Sequence, residues 1–213
     1  WAAQTSVLVH PGDLYVGLRP EKTFVRAGDQ IAVDVVVSDL DGLSVPGKKV
    51  TVRSARLDWD QVAGEMKELE KDVESCELTS LADVVRCQLR TREAGRYRLL
   101  ATVVDQHGRK SQTELFLYVL GDGMPAERGL ERNAVRVVAD KAEYRPGETA
   151  ELLVVAPFAP AEGVVSLGRQ GLAHLARFSI TSKTETVRVQ IPDGSHPVIA
   201  ARVDLVGSAT REN

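Results

Sequence analysis

Hydrophobic residues in this chain recur mostly at every second position, in short runs closed by glycine, proline or aspartate. Residues 30–38 carry Ile31, Val33, Val35 and Val37 against intervening residues that are polar or small except for Val36, close to the period of a half-buried strand. Comparable runs are predicted over residues 14–19, 48–57, 96–104 and 113–119, with turns at 39–42, 45–47, 93–95 and 105–108. Residues 6–9 read as a short strand stopped by His10-Pro11-Gly12-Asp13. Beyond a Gly- and Pro-rich linker at 121–129, six more strands are expected, over 134–139, 149–156, 163–169, 175–181, 186–191 and 197–206.

One stretch gives two answers. Met66, Leu69, Val73 and Cys76 stand at helical spacing among Glu, Lys and Asp, which alone predicts a helix. Gly64 and the flanking strands favour a solvated, extended hairpin over 58–75, and that is the expectation adopted.

The runs are organised by a repeat. Lys22-Thr-Phe-Val-Arg26-Ala-Gly28-Asp29 and Lys141-Ala-Glu-Tyr-Arg145-Pro-Gly147-Glu148 are separated by 119 residues, the length of a domain. Each reads as a turn feeding a strand, and a feature present once per module is structural rather than catalytic. The expected fold class is therefore all-β: two tandem antiparallel sandwiches, with about seven strands in the first and one fewer in the second. The boundaries are 1–12 as the remnant of a preceding domain or a first strand, 13–120 as the first sandwich, 121–130 as a linker and 131–213 as the second sandwich. Both ends read as cuts through a longer polypeptide.

Composition narrows the partners. Among 213 residues, 27 Lys and Arg face 30 Asp and Glu, for a net charge of −3 without a basic cluster. Neither nucleic acid nor an anionic membrane surface is expected as a partner, and no apolar run reaches the roughly 20 residues of a membrane helix. Cys76 and Cys87 are spaced so that neighbouring antiparallel strands can bring them within bonding reach. A disulfide would close a short loop, contribute about 3 kcal/mol and imply an oxidising compartment; a pair of reduced buried thiols is the other reading.

Candidate chemistry is sparse. His10, His107, His174 and His196 show no metal-ligand spacing, and no cofactor or metal is expected. Asp39-Leu-Asp41-Gly42 could offer two carboxylates to calcium but lacks the remaining ligands of a calcium loop. Ser195 and His196 are adjacent on a turn, where they cannot form a nucleophile and base pair. The acidic run Glu65, Glu68, Glu70, Asp72, Glu74 and Glu77 is a solvated face, with protein contact as the second reading. No catalytic residues are assigned, and an enzyme is not expected.

Two longer patterns are more specific. Asp140-Lys-Ala-Glu-Tyr-Arg-Pro-Gly-Glu-Thr-Ala-Glu-Leu-Leu-Val-Val-Ala-Pro157-Phe158 resembles the opening of the macroglobulin domain that hosts the bait region in bacterial alpha-2-macroglobulins. His10-Pro11 with Tyr15-Val-Gly17-Leu18, Ala27-Gly28-Asp29, Asp39-Leu-Asp41-Gly42, Cys76 and Cys87, Ala94-Gly95-Arg-Tyr97 and Asp105-Gln-His-Gly108-Arg109 is similar to the domain before it.

The resemblance implies seven-stranded sandwiches in a periplasmic or extracellular protein, membrane-anchored in some arrangements through the N-terminus of the longer chain. It also implies a structural, non-catalytic part in a broad-spectrum endopeptidase inhibitor that closes around a protease after bait cleavage. The partners would be other domains of the same polypeptide and, through the bait region, the target endopeptidases. The family's thioester needs Cys-x-Glu-Gln, whereas this chain has Cys76-Glu77-Leu-Thr, so none forms here. The bait insertion would begin at Val206-Gly207-Ser208, accounting for the strand missing from the second module, whose bare sheet edge would be disordered or paired with a neighbouring chain. A tandem immunoglobulin-like adhesion or carbohydrate-binding module is the alternative, and a calcium-dependent module a third.

Overall fold

The computed structural model describes residues 4–62, 65–121, 134–169, 171–195 and 197–208, and among them every regular element is a strand. In chain order these are β1 (Tyr15–Pro20), β2 (Phe24–Arg26), β3 (Gln30–Ser38), β4 (Lys49–Val62), β5 (Glu65–Thr79), β6 (Val85–Arg90), β7 (Gly95–Val104), β8 (Lys110–Leu120), β9 (Arg136–Ala139), β10 (Thr149–Val155), β11 (Ala161–Gly168), β12 (Leu172–Ile180), β13 (Thr184–Gln190) and β14 (Ala200–Gly207). The chain forms two compact units. The first comprises the described residues of 1–21 and 27–117, and the second those of 22–26 and 118–213.

The first unit holds the sheet β1-β3-β6 and the strands β8-β7-β4-β5. Val33, Val35 and Val37 of β3, and Tyr97, Leu99, Ala101 and Val103 of β7, are almost fully buried, as the alternation requires. Hairpin chemistry fixes the registers. Asp39 and Asp105 serve the same device: each Oδ1 accepts two backbone N–H groups, from Asp41 (3.0 Å) and Leu43 (2.9 Å) in one case, and from His107 and Arg109 (both 2.9 Å) in the other. Gly42 and Gly108 supply the left-handed residue, at φ 82° and 77°.

The helical spacing in residues 58–75 is overridden. β4 and β5 pair from Lys49↔Thr79 to Val62↔Glu65, as the hairpin expectation had it, while its tip at Gly64 lies outside the described residues. The register slips once, between Ser54 and Arg56, where β5 carries an extra residue and Asp72 takes a positive φ of 49°. Val73 is exposed, while Cys76 is half-buried opposite the buried Val52. The residues at helical spacing therefore do not share a face, and their pattern carries no packing information.

Two expectations change. Residues 6–9 form no strand and are exposed. The first cassette also does more than turn: β2 runs parallel to the end of β8, pairing Phe24 with Tyr118 and Val25 with Val119, and raises the number of strands before the linker to eight. Phe24 packs with Tyr118, Leu153 and Val155 in the second unit. Thr23 is fastened there too, donating its N–H to the Asp140 carbonyl (3.1 Å) and its hydroxyl to the Ala139 carbonyl.

The second unit also contains the sheets β13-β10-β9 and β12-β11-β14, so its six strands from β9 onward repeat β1 and β3 to β7 in order and pairing. The repeat extends to the joints. The Asp29 carbonyl accepts the Thr91 N–H (3.2 Å), and the Glu148 carbonyl, 119 residues on, accepts that of Ile191 (2.8 Å). Among the described residues nothing in the second unit's sandwich stands where β8 stands beside β7.

Candidate functional site

The most informative site is the end of β14, where the Pro157-Phe158 motif and the expected bait junction come together. β10 ends in the apolar run Leu152-Leu-Val-Val155, and the next five residues turn the chain into β11 through a cis Ala159-Pro160 bond. β11 then pairs with β14 from Ala161↔Gly207 to Gly168↔Ala200. The junction residues are thus laid against that turn.

Gly207 fits there because it lacks a side chain. A Cβ at this position would stand 2.7 Å from the Pro160 carbonyl oxygen and 2.8 Å from the Phe158 ring. Gly163 on β11 makes a second close approach, where a Cβ would come within 2.4 Å of Phe178 and 2.8 Å of Leu205. The two glycines let Phe158, Phe178 and Leu205 close over the core formed by Val154, Val165, Leu167 and Ile180. Val206 is 77% exposed beside them, and Ser208 lies past the end of the strand. The Pro-Phe signal was legible in the sequence; its packing against Gly207 was not, because the two are 49 positions apart.

The opening of the second module is held by a polar core. The Asp140 carboxylate accepts the Tyr144 hydroxyl (2.6 Å) and the Glu151 N–H (2.9 Å), while the Lys141 N–H donates to the Tyr144 oxygen (2.9 Å). Burial and the donation to Asp140 raise the Tyr144 pKa well above the ordinary phenol value, so it remains a neutral donor. Arg145 acts through its backbone, its carbonyl accepting the Glu148 N–H (3.1 Å) and its N–H donating to the Glu148 carboxylate (3.2 Å).

The first module has related ties. Tyr97, buried in its core, donates its hydroxyl to the Glu93 carbonyl (3.1 Å), a tyrosine corner of the kind that closes many β-sandwiches. Gly95 leaves room for Arg56, whose Nε reaches Asp72 (2.8 Å) and whose Nη2 reaches Glu93 (2.7 Å). The Asp105 carboxyl is held below the usual carboxylate range: burial pushes it up, but N–H groups of Arg109, Asp13 and His107 and the Arg109 guanidinium more than offset this.

The remaining candidates do not converge. His10 meets Tyr15 (2.6 Å), His107 stands 3.7 Å from Asp13, and His174 lines a cleft of about 320 Å³ with Gly147, Ile191 and Asp193. His196 lies outside the described residues, and Ser195 spends its hydroxyl on the Pro192 carbonyl (2.5 Å). Asp39 spends its Oδ1 within its turn, and among the described residues no three His, Cys, Asp or Glu side chains are grouped to hold a metal. Much of the acidic run is paired: Glu68 with Arg98, Glu70 with Arg53 and Arg98, Asp72 with Arg56, Glu74 with Arg92. Cys76 and Cys87 are joined in a disulfide with their Cα atoms 6.2 Å apart, tying β5 to β6, so neither is a free thiol.

No family model matches the chain. An alpha-2-macroglobulin homolog of a Nostoc species is 24% identical over 160 residues, which cover 71% of this chain and 8% of that protein. Among solved structures, the native form of E. coli alpha-2-macroglobulin overlays with a TM-score of 0.39 at 18% identity, covering 93% of this chain and 15% of the other. A sporulation control protein from Bacillus subtilis scores the same 0.39 at 10% identity, over 84% of this chain and 91% of its own. Overlays this loose do not separate one sandwich family from another. The chain folds into macroglobulin-like β-sandwiches, and its sequence is similar to an alpha-2-macroglobulin homolog of which it spans 8%.

Proposed function

We propose that this chain is a non-catalytic, mechanical part of an alpha-2-macroglobulin that inhibits endopeptidases by trapping them after bait cleavage. In this reading the first module is a spacer, and the second is the stem from which the bait region departs at Val206, Gly207 and Ser208. One observation carries it. The second module repeats the first strand by strand as far as β14, whose last residue, Gly207, is laid against the Pro157-Phe158 turn that the resemblance singles out. Gly207 against Pro160 and Phe158 would anchor the departing chain at a fixed point. The Cys76–Cys87 bond supports a periplasmic or extracellular setting. The partners are then the other domains of the longer polypeptide and the proteases that cut its bait. A tandem adhesion module could share the sandwich fold, but the Nostoc relative gives it no support.

The test is limited proteolysis of the longer protein with endopeptidases of differing specificity, the cuts being located by mass spectrometry. Early cuts should cluster on the C-terminal side of Ser208, leave residues 4–208 intact and be followed by compaction of the whole molecule. Early cuts inside β3, β7 or β10, or cuts after Ser208 without compaction, would reject the reading.

A further inference from the structure

The offset of 119 residues matches β10 to β3 position by position, and the two strands differ on one face. Along β3 the residues that alternate with its buried ones, Ala32, Asp34 and Val36, are half-buried. The counterparts of the last two, Leu153 and Val155, are 0% and 9% exposed, although Leu152 and Val154 on the other face of β10 are buried as well. The extra cover comes from Phe24 and Tyr118, with Leu120 and Val138 beside them. Both sides of this contact depart from the repeat in a matching way: position 24 is Phe where 143 is an exposed Glu, and position 153 is Leu where Asp34 meets Arg19 and Arg86.

That cover lies directly behind the turn that receives Gly207. Val155 is the last residue of β10, paired with Arg136 on one side and Thr184 on the other, and the turn begins at the next residue. Ala156 enters the inner core and donates its N–H to the Lys183 carbonyl (2.8 Å). Phe158 packs against the same core, and its ring would stand 2.8 Å from a Cβ at Gly207. The root of the turn is therefore gripped on both faces, from inside by Val154 and Ala156 and from outside by Phe24. The outer grip is itself fastened: Thr23 donates to the Ala139 and Asp140 carbonyls, and its own carbonyl accepts the Tyr118 N–H (3.1 Å). A close-packed interior has no slack to absorb a displacement, so a change at Phe24 is felt at the turn.

We propose that Phe24 is a positioning residue for the bait junction: acting through Val155, it holds the turn of residues 156–160 at the place where Gly207 leaves the sandwich. Phe24 touches no protease, and its contribution is to fix where the anchored chain ends and the cleavable chain begins. With its ring shortened, Val155 loses its outer neighbour, the turn shifts against β14, and the last residues of β14 loosen first. The role given to the junction rests on the bait reading, whereas the coupling of Phe24 to Phe158 belongs to the second unit alone.

The experiment has two arms. In the full 213-residue chain, amide exchange of β13 gives the opening constant of the second unit for Phe24→Leu, Phe158→Leu and the double variant, Leu being the milder replacement. The effect of the pair should differ from the product of the single effects by about threefold or more, as for residues in one packed network. In the longer protein, Phe24→Ala should move the earliest protease cuts from the C-terminal side of Ser208 into residues 203–207, and Phe24→Leu should return them. A purely structural Phe24 would instead spread cutting over the whole second unit. Single effects that multiply to within about twofold, cuts spread in that way, or a first cut that stays beyond Ser208 in Phe24→Ala would each overturn the proposal. A parent first cut elsewhere would remove the bait reading and this role with it, whereas a parent cut after Ser208 with unmoved variants removes the role alone.

Discussion

Phe24 provides a sharp test of how this chain is divided. It sits on a three-residue strand that precedes most of the first module, yet its ring is 5% exposed among Tyr118, Leu153 and Val155, with Leu120 and Val138 alongside. Truncating a buried phenylalanine to alanine costs about 3–5 kcal/mol, the value depending on how far the site can collapse. Phe24 belongs at the lower end, because its strand is short and only partly enclosed. A loss of about 3 kcal/mol in the second unit is expected for Phe24→Ala, corresponding to roughly a hundredfold more opening at about 1.4 kcal/mol per factor of ten. Amide exchange by mass spectrometry reads the two units separately, which a single melting curve cannot do for a chain with two cores. Protection should fall in β10 and β13 and stay unchanged in β3 and β7, and Phe24→Leu should recover a large part of it. Unchanged exchange in β10, or a loss confined to β3 and β7, would refute the assignment of residues 22–26 to the second unit.

Two other expectations concern the first unit. Glu70 is held down to about 2 from the ordinary 4.5 by hydrogen bonds from Arg53 and then Arg98. The folded form therefore binds a proton less readily than the unfolded one, and the contribution of Glu70 is complete above about pH 4.5. It disappears as pH falls from there toward 2, and Glu70→Gln should flatten denaturant midpoints across that window; a variant with the same acid dependence as the parent would exclude the triad as its source. Reducing the Cys76–Cys87 bond, which closes a separation of 11 residues, should cost about 3 kcal/mol in the chain-entropy model. Thermal melts of the Cys76→Ser, Cys87→Ser double variant should show the same loss with and without reductant, and a parent insensitive to reductant would contradict it.

The strands themselves were legible because each is decided locally. In residues 30–38 and 96–104 the alternation of apolar and polar positions matches the period of the pleat, and glycine or aspartate marks each turn. The hairpin over 58–75 was legible only as a choice between patterns. Its resolution depended on a bulge at Asp72, which no period reveals and which Arg56 stabilises from another strand. The run at 6–9 has the composition of a strand but forms none among the described residues: strand propensity is a readiness to pair, and pairing requires an edge.

What the sequence by itself determined is the all-β class and the tandem repeat at 119 residues, since each follows from residue type and spacing along the chain, while the cysteines could be read as bonded or reduced until the structure joined them. Tertiary structure alone decided that residues 22–26 leave the module in which they are written, that Gly207 meets Phe158, and that β14 pairs with β11. Those facts concern which surfaces come to lie together across tens of residues. Burial and backbone pairing are settled by the partner as much as by the segment, and a segment's own residues do not name its partner.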